Sequence, residues 1–209
     1  MHLLPPKQLI RTSPVDHADW SYHPLLSFVM RRRYSLVLSL LPRGRVHRML
    51  EVGFGSGVFM PELARHCEEL YGIDVHAEVA NVQSRLAECG VAAITSRQDA
   101  AQTDFPDNFF DAIVALSALE FIERIDDAAR EFARILAPQG RLIAVMPGKS
   151  AFLDFALHAM TGESAQHDYG TRRERVLPEL RNYFRVVRKK SFPPVYTAYE
   201  LEPASRTRD

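Results

Sequence analysis

The spacing of hydrophobic positions changes from helical to strand-like several times along the chain. Between residues 22 and 41, apolar side chains recur every three or four positions, which predicts an amphipathic helix. After Pro42, short apolar runs alternate with helical patterns. The predicted strands are 46–53, 70–75, 91–96, 110–116 and 141–147, and the predicted helices are 58–70, 76–89 and 124–136. Strands separated by helices indicate βαβ units in a parallel sheet.

The C-terminal part departs from this alternation. A helix is predicted over 173–183, followed by strands over 184–192 and 195–202 that a Pro193–Pro194 turn connects directly. Such a connection predicts an antiparallel hairpin at the sheet edge. The predicted fold is therefore α/β. It is a Rossmann-like, mostly parallel sheet of seven strands with an antiparallel 6–7 edge hairpin, helices on both faces and an N-terminal helical annex.

Length and composition agree with one globular domain in a reducing compartment. The chain has 209 residues, of which 46% are hydrophobic, and this excludes a disordered or disulfide-stapled protein. Its two cysteines, Cys67 and Cys89, form no metal-type or disulfide framework. No segment resembles a signal peptide or reaches the ~18 apolar residues of a membrane span. We therefore expect a cytoplasmic protein with an annex over 1–44 and a main domain over 45–209.

The charges are balanced overall but segregated along the chain. Residues 1–48 contain eight basic and two acidic residues, a net charge of +6, whereas residues 49–171 have a net charge of −11 and residues 172–209 of +5. The segregation has two interpretations. Solvated faces differ in charge, or the two basic segments converge on an anionic ligand or surface.

A glycine-rich loop follows the first predicted strand. It reads Glu-Val-Gly-Phe-Gly-Ser-Gly over residues 51–57. The dinucleotide pattern G-x-G-x-x-G would place its third glycine at position 58, which is Val58. Acidic Glu51 is also unfavourable beside a pyrophosphate and favourable beside a cationic ligand. The loop therefore argues against NAD.

Two further acids end the next predicted strands. Asp74 ends the second strand, where a carboxylate can accept hydrogen bonds from a ribose diol, and Asp99 follows the third, where it can accept a bond from an adenine amino group. Each acid alone can also be a turn or helix cap. Acids at the ends of three consecutive strands, beside a glycine loop, favour a shared nucleoside site.

Over residues 45–202 the sequence resembles the class I S-adenosylmethionine-dependent methyltransferases, in the group similar to methyltransferase type 11. The resemblance implies S-adenosylmethionine as cofactor and S-adenosylhomocysteine as product. It implies that the loop holds the methionine part, Asp74 the ribose, and Asp99 with the following residue the adenine. The implied cofactor-binding residues are Glu51, Gly53, Phe54, Gly55, Gly57, Asp74, Val75, Asp99, Ala100, Leu116 and Ser117.

The sequence departs from relatives at several positions. Gln139 stands where glycine is usual, and Glu120 and Phe121 replace a histidine pair that many relatives carry after the fourth strand. The D/N-P-P-Y tetrad is absent after that strand, which lowers the expectation of amino methylation on nucleobases.

The substrate side is expected to be formed by the annex, which acts as a lid, and by residues 150–171, a substrate-side insertion. The candidates there are His17, Trp20, Tyr22, His23, Glu120, His158, His167 and Tyr169. The catalytic residue is unknown, with Tyr22, His23, Glu120 and His158 as candidates, and a surface or packing role is the more common one for each of these residue types. Residues 150–162 can be a lid, a core helix or a membrane-contacting helix. No histidine spacing indicates a metal site.

The sequence therefore predicts a methyltransferase that acts by in-line displacement on O, N or C of a small acceptor, anionic or lipophilic. The alternatives are a catalytically silent protein that binds the cofactor or a partner, and an RNA or protein methyltransferase, while NAD-dependent redox chemistry is more distant. The expected partner is a small-molecule acceptor, with no nucleic acid, no membrane span and at most weak contact with a membrane surface. A monomer or a homodimer is expected.

Overall fold

The structure is a computed structural model that describes residues 1–14, 16–24, 26–148 and 172–204. The predicted insertion over 150–171 lies outside the described residues. The same holds for the candidates His158, His167 and Tyr169 and for the segment 150–162.

One sheet of seven strands forms the centre of the described part, in the order β3-β2-β1-β4-β5-β7-β6. β1 to β5 are parallel, and β7 pairs antiparallel with both β5 and β6. The predicted seven-stranded α/β fold with its antiparallel edge is confirmed. The strands are β1 Val46–Val52, β2 Cys67–Asp74, β3 Ala93–Arg97, β4 Phe110–Leu116, β5 Leu136–Pro147, β6 Phe184–Phe192 and β7 Tyr196–Pro203.

Helices cover both faces of this sheet. On one face, α1, α2 and α3 contribute to a core that includes Tyr34, Met60 and Val82. On the other face, α4 and α5 contribute Phe132 and Leu180 to a second core. The helices are α1 Ser27–Leu38, α2 Met60–Leu63, α3 Val79–Glu88, α4 Ile125–Ile135 and α5 Arg172–Arg181, with 3-10 turns at Pro6–Gln8, Ala18–Tyr22, Ala64–His66 and Leu119–Phe121.

The apolar sequence of β4 explains its central position. Its residues Ala112, Ile113, Val114 and Ala115 are all fully buried. A strand that is buried on both faces reads as a continuous apolar run, because helices cover the two sides of a parallel sheet. β4 therefore lies between β1 and β5, and its carboxyl end opens at the centre of the sheet.

The predicted helix over 22–41 is wrong at its N-terminal end. Residues 18–22 form a 3-10 turn, and α1 begins only at Ser27. His23 adopts an extended conformation (φ −70°, ψ 135°) because the proline that follows it disfavours the helical region. Pro24 therefore separates two helical pieces instead of starting one.

The predicted helix over 58–70 is also wrong, because α2 ends at Leu63 and β2 begins at Cys67. Cys67 already pairs with Val46 in the β1–β2 ladder, and the Arg45 Nε donates to its carbonyl at 3.0 Å. These pairings draw the backbone of residues 67–70 into the sheet. β5 similarly begins at Leu136 instead of 141, with an irregular register between Phe110 and Ala112 of β4.

The two cysteines lie in contrasting environments. Cys67 is buried at the start of β2, and burial raises the pKa of its thiol to about 11. Cys89 follows α3 and is exposed. Both are free thiols. Within the described residues, none of the helices has the length and apolar character needed to cross a membrane.

Candidate active site

A cavity of about 700 Å³ lies at the carboxyl ends of the parallel strands. In open α/β sheets this edge is where ligands bind, because loops leave the strands there in divergent directions. The loop after β1 and the ends of β2 and β4 form its floor. The annex contributes Asp16, His17, Trp20 and Arg33 to the other side.

The glycine loop requires glycine at two positions for different reasons. Gly53 has a φ of +70°, and a Cβ there would lie 2.5 Å from the Cβ of Ala118, which follows β4. Gly57 has a φ of +71°, and a Cβ there would lie 3.0 Å from the side chain of Val82 in α3. Gly53 lines the cavity, whereas Gly57 does not and instead permits the close packing of α3.

Glu51 is a buried acid at the end of β1. It is 3% exposed, and its Oε2 has no hydrogen-bond partner. Burial and the nearby Asp74 carboxylate raise the pKa of Glu51 to about 8. A cation that entered the cavity would favour the ionised form of this acid.

Asp74 connects the end of β2 to the glycine loop. Its Oδ2 accepts a hydrogen bond from the Gly55 N–H at 2.8 Å, and its Oδ1 accepts one from the Val75 N–H at 2.7 Å. The His76 N–H also donates to Oδ1, at 3.4 Å. Because a carboxylate oxygen can accept two bonds, Oδ2 is the oxygen that retains a lone pair. Asp74 and Val75 both line the cavity.

Asp99 lies at the rim of the cavity, with about half of its side chain exposed. Its Oδ1 accepts a bond from the Ala101 N–H at 2.8 Å, and its Oδ2 pairs with Arg124 at 2.8 Å. The Ala101 N–H and the Arg124 guanidinium lower the pKa of Asp99. Ala100 beside it is buried and also lines the cavity.

Leu116 and Ser117 form the cavity wall at the end of β4. Ser117 has a φ of +53°, in the left-handed region that non-glycine residues seldom occupy. Its N–H donates to the Val145 carbonyl at 2.8 Å, while its buried Oγ has no partner. Strained residues with unsatisfied polar atoms often mark functional sites.

Asp16 is a residue of the cavity that the sequence analysis missed. Its carboxylate lies 3.6 Å from the position that a Cβ on Gly55 would occupy, directly against the glycine loop. The Thr12 Oγ1 donates to it at 2.8 Å and the Ala18 N–H at 3.2 Å. The sequence feature that could have identified Asp16 is its charge, since it is one of two acids in the otherwise basic first 48 residues.

Three polar residues from separate elements line the end of the cavity beneath α1. Glu120 follows β4, Arg33 belongs to α1 and Tyr196 begins β7. Glu120 is 1% exposed, and its Oε2 has no hydrogen-bond partner. Burial raises the pKa of Glu120 to about 7, although Arg33 and Arg173 partly oppose this rise. Tyr196 was not a candidate in the sequence analysis, and Arg33 appeared there only as part of a basic segment.

The remaining candidates divide between the cavity and the surface. His17 and Trp20 line the cavity and stack with ring centroids 4.1 Å apart. Tyr22 does not line it, because its hydroxyl donates to the Leu4 carbonyl. His23 is exposed and also lies outside the cavity lining. Of the catalytic candidates, the structure thus brings only Glu120 to the cavity among the residues it describes.

The two basic segments of the sequence meet in the structure. The Arg188 Nη2 of β6 donates to the Leu40 carbonyl at 2.9 Å, and the Lys190 Nζ lies 3.4 Å from the Ser39 carbonyl. The C-terminal end of α1 therefore lies beside the edge strand. In the described part of the chain, no group of three acidic, histidine or cysteine side chains is arranged to hold a metal ion.

Comparisons with known proteins relate this site to a family. Residues 50–144 match the model of a methyltransferase domain, methyltransferase type 11. The uncharacterized methyltransferase YcgJ of Bacillus subtilis is 34% identical over 101 residues, which cover 47% of this chain and 40% of that protein. Phosphatidylethanolamine N-methyltransferase of Cereibacter sphaeroides is 32% identical over 101 residues, which cover 47% of this chain and 49% of that enzyme.

The chain thus spans about half of the length of these curated relatives, or less. Among solved structures, a SAM-dependent methyltransferase from Aquifex aeolicus superimposes with a TM-score of 0.67 over 82% of this chain and 89% of that one. At 18% sequence identity, this similarity shows the fold. Together with the domain match, it confirms the resemblance drawn from the glycine loop and the strand-end acids.

Proposed function

We propose that this chain, whose residues 50–144 match a methyltransferase domain, is a class I S-adenosylmethionine-dependent methyltransferase that methylates an O, N or C atom of a small acceptor. The observation that carries the proposal is the continuous cavity that extends from the glycine loop to Glu120. Its volume lies within the range of small-molecule sites, roughly 300–1,000 Å³. A cofactor site and an acceptor site that share one cavity can bring donor and acceptor into contact.

The residues at the floor of the cavity suit S-adenosylmethionine, the cofactor of this class. Glu51, Ser56 and Ser117 present buried oxygen atoms that have no protein partner. Glu51 and Asp16 suit the ammonium group of the methionine part, and Asp74 suits the ribose hydroxyls, because carboxylates accept several hydrogen bonds. Asp99 and Ala100 are assigned to the adenine end.

S-adenosylmethionine, when bound in this cavity, would supply an activated methyl group for in-line transfer to the acceptor atom. The protein contributes alignment and the exclusion of water. His17 and Trp20 cover the cavity from the annex side. The acceptor would occupy the part of the cavity that Arg33, Glu120 and Tyr196 line.

Glu120 is the residue assigned to receive the proton that an O–H or N–H acceptor loses. It lines the cavity, its Oε2 has no partner, and its pKa of about 7 is close to neutral pH. General bases act best when their pKa lies near the working pH. The proton passes from the acceptor atom to the Glu120 carboxylate, which releases it to solvent when the products leave.

The test is calorimetric titration of the purified protein with S-adenosylmethionine, S-adenosylhomocysteine and NAD. Both sulfur compounds are expected to bind at micromolar affinity and NAD not at all. Asp74→Ala is expected to weaken both by about tenfold or more, since it removes charge-assisted hydrogen bonds. Asp104→Ala is the matched control, because Asp104 is exposed and lies outside the cavity. Tight NAD binding, or full affinity in a folded Asp74→Ala protein, would contradict the proposal.

A further inference from the structure

The three consecutive arginines of α1 have different surroundings. Arg31 and Arg32 are exposed, and the Arg32 guanidinium lies over the Phe28 and Phe192 rings at 5.0 and 5.9 Å. Arg33 points the other way and lines the cavity. The helical period separates neighbouring residues by about 100°, which explains how one residue of a basic run faces inward.

Arg33 has few partners for a shielded cation. Its Nε is cut off from solvent and makes no hydrogen bond. Its Nη2 lies 3.5 Å from the Tyr34 hydroxyl, the outer limit of a hydrogen bond. Its Cζ lies 5.3 Å from the Tyr34 ring centroid and 5.8 Å from that of Tyr196. These ring contacts support a cation weakly compared with a carboxylate or phosphate.

The acids near Arg33 do not neutralise it. Among the described residues, Glu120 and Glu51 interact with Arg33 through space, but neither forms a hydrogen bond with it, and one oxygen of each lacks any partner. A partly buried guanidinium without an oxyanion incurs a desolvation cost that ion pairing would offset. The part of the cavity that Arg33 and Glu120 line is therefore suited to a ligand that carries both an anionic group and a dissociable proton.

We infer that Arg33 binds an oxyanion of the acceptor, a carboxylate or a phosphate, and so selects a small anionic molecule as the substrate. The inference rests on the proposed function and deepens it. The planar fork of the guanidinium matches the two oxygens of such a group. With the oxyanion held on Arg33, the acceptor lies in the part of the cavity that Glu120 also lines. A purely lipophilic acceptor would leave Arg33 desolvated and unpaired.

The experiment uses the 209-residue chain saturated with S-adenosylhomocysteine and three probes of similar shape: benzoate, phenyl phosphate and neutral benzamide. Titration calorimetry measures their binding to the wild-type protein and to Arg33→Met, Arg33→Lys and Arg31→Met. We expect one of the two anions to bind and benzamide to bind at least about tenfold more weakly. The stronger anion distinguishes a carboxylate from a phosphate acceptor.

Arg33→Met is expected to weaken anion binding by about tenfold or more, and Arg33→Lys by less, because it retains the charge without the fork. Arg31→Met keeps wild-type affinity for the anion and for S-adenosylhomocysteine. Equal binding of benzamide, failure of both anions to bind, or equal loss in Arg31→Met would overturn the inference. Should Arg33→Met fail to fold, the inference is tested by two other comparisons. These are the affinities of the anions and benzamide for the wild-type protein, and the anion affinity of Arg33→Lys. Loss of S-adenosylhomocysteine binding by the wild-type protein would instead count against the proposed function.

Discussion

Two carboxylic acids, Glu51 and Glu120, lie in the cavity wall with an oxygen that lacks a hydrogen-bond partner. Burial raises the pKa of Glu51 to about 8 and that of Glu120 to about 7. Both values exceed those of exposed glutamates, so the folded protein holds protons that the unfolded chain releases. Near neutral pH, Glu51 is therefore largely neutral until a cationic ligand enters.

This difference in proton binding predicts how stability depends on pH. Between the unfolded pKa near 4.5 and the folded pKa of about 8, the folded state binds more protons, so the free energy of unfolding falls as pH rises. The contribution of Glu51 is expected to reach a few kcal/mol, because each tenfold change in an acid dissociation constant corresponds to about 1.4 kcal/mol. Urea denaturation between pH 5 and 9 measures it.

Glu51→Gln is the comparison for this prediction, because glutamine has a similar shape and does not titrate. The variant is expected to lose stability less steeply between pH 5 and 8 than the wild-type protein. Parallel pH profiles for the two proteins would show that Glu51 titrates normally in the folded state.

The residues of the site differ in how far local sequence predicts them. Glu51, Gly53 and Asp74 follow from short patterns at strand ends, because the parallel topology brings such ends together. Arg33 and Tyr196 come from α1 and β7, far apart in the chain, and meet only through tertiary packing. No local spacing distinguishes Arg33 from its exposed neighbours Arg31 and Arg32. The burial that makes Arg33 informative is a property of the folded molecule.

At the scale of elements, Tyr34 is one of the buried residues that pack α1 against the main domain. Tyr34 is fully buried and stacks on Phe59, which precedes α2, with ring centroids 4.6 Å apart and an interplanar angle of 15°. Its hydroxyl shares a buried hydrogen bond of 2.7 Å with the Ser21 Oγ of the preceding 3-10 turn. Tyr34 thus joins three elements that surround the cavity.

Two substitutions separate the packing of Tyr34 from its hydrogen bond. Tyr34→Ala is expected to lower the free energy of unfolding by about 3–5 kcal/mol, as other large-to-small aromatic changes in cores do. Tyr34→Phe keeps the ring and is expected to cost about 1–2 kcal/mol, because it leaves the Ser21 hydroxyl buried without its partner. Chemical denaturation measures both. Equal losses in the two variants would mean that the stacking on Phe59 contributes little.

The errors in predicting elements have a common physical origin. Residues 58–70 carry a helical pattern, yet the pairing of Cys67 with Val46 draws the second half of this stretch into β2. Strand propensity depends on the neighbouring strand, which a single segment does not reveal. By contrast, the sequence predicts α4 within one residue, because its buried positions Ile125, Ala128, Phe132 and Ile135 follow the helical period closely.

At the scale of the whole molecule, the annex and the sheet share one hydrophobic core. Leu4 and Met30 from the annex belong to the same cluster as Met49 of β1 and Phe54 of the glycine loop. The backbone N–H of Leu4 also donates to the Val58 carbonyl at 3.0 Å. Elements that share a core tend to unfold together, so the annex is expected to behave as part of the domain.

We therefore predict one cooperative thermal transition, which differential scanning calorimetry measures. Because S-adenosylhomocysteine is proposed to bind only the folded protein, a concentration of about 100 times its Kd should stabilise it by about 2.7 kcal/mol. For a domain of this size, that corresponds to a rise in Tm of roughly 5–11 °C. Two separate transitions, with only the second shifted by the ligand, would show that the annex unfolds independently.

The different exposure of the two cysteines makes it possible to detect the opening of the sheet by thiol labelling. Cys89 is exposed, so thiol reagents modify it in the folded state, whereas Cys67 is buried with a pKa of about 11 and reacts only when β2 separates from its neighbours. In a mass spectrum, the first added label therefore reports accessible surface and the second records the exposure of the sheet. The rate at which Cys67 is labelled therefore measures how often the sheet opens, without any engineered probe.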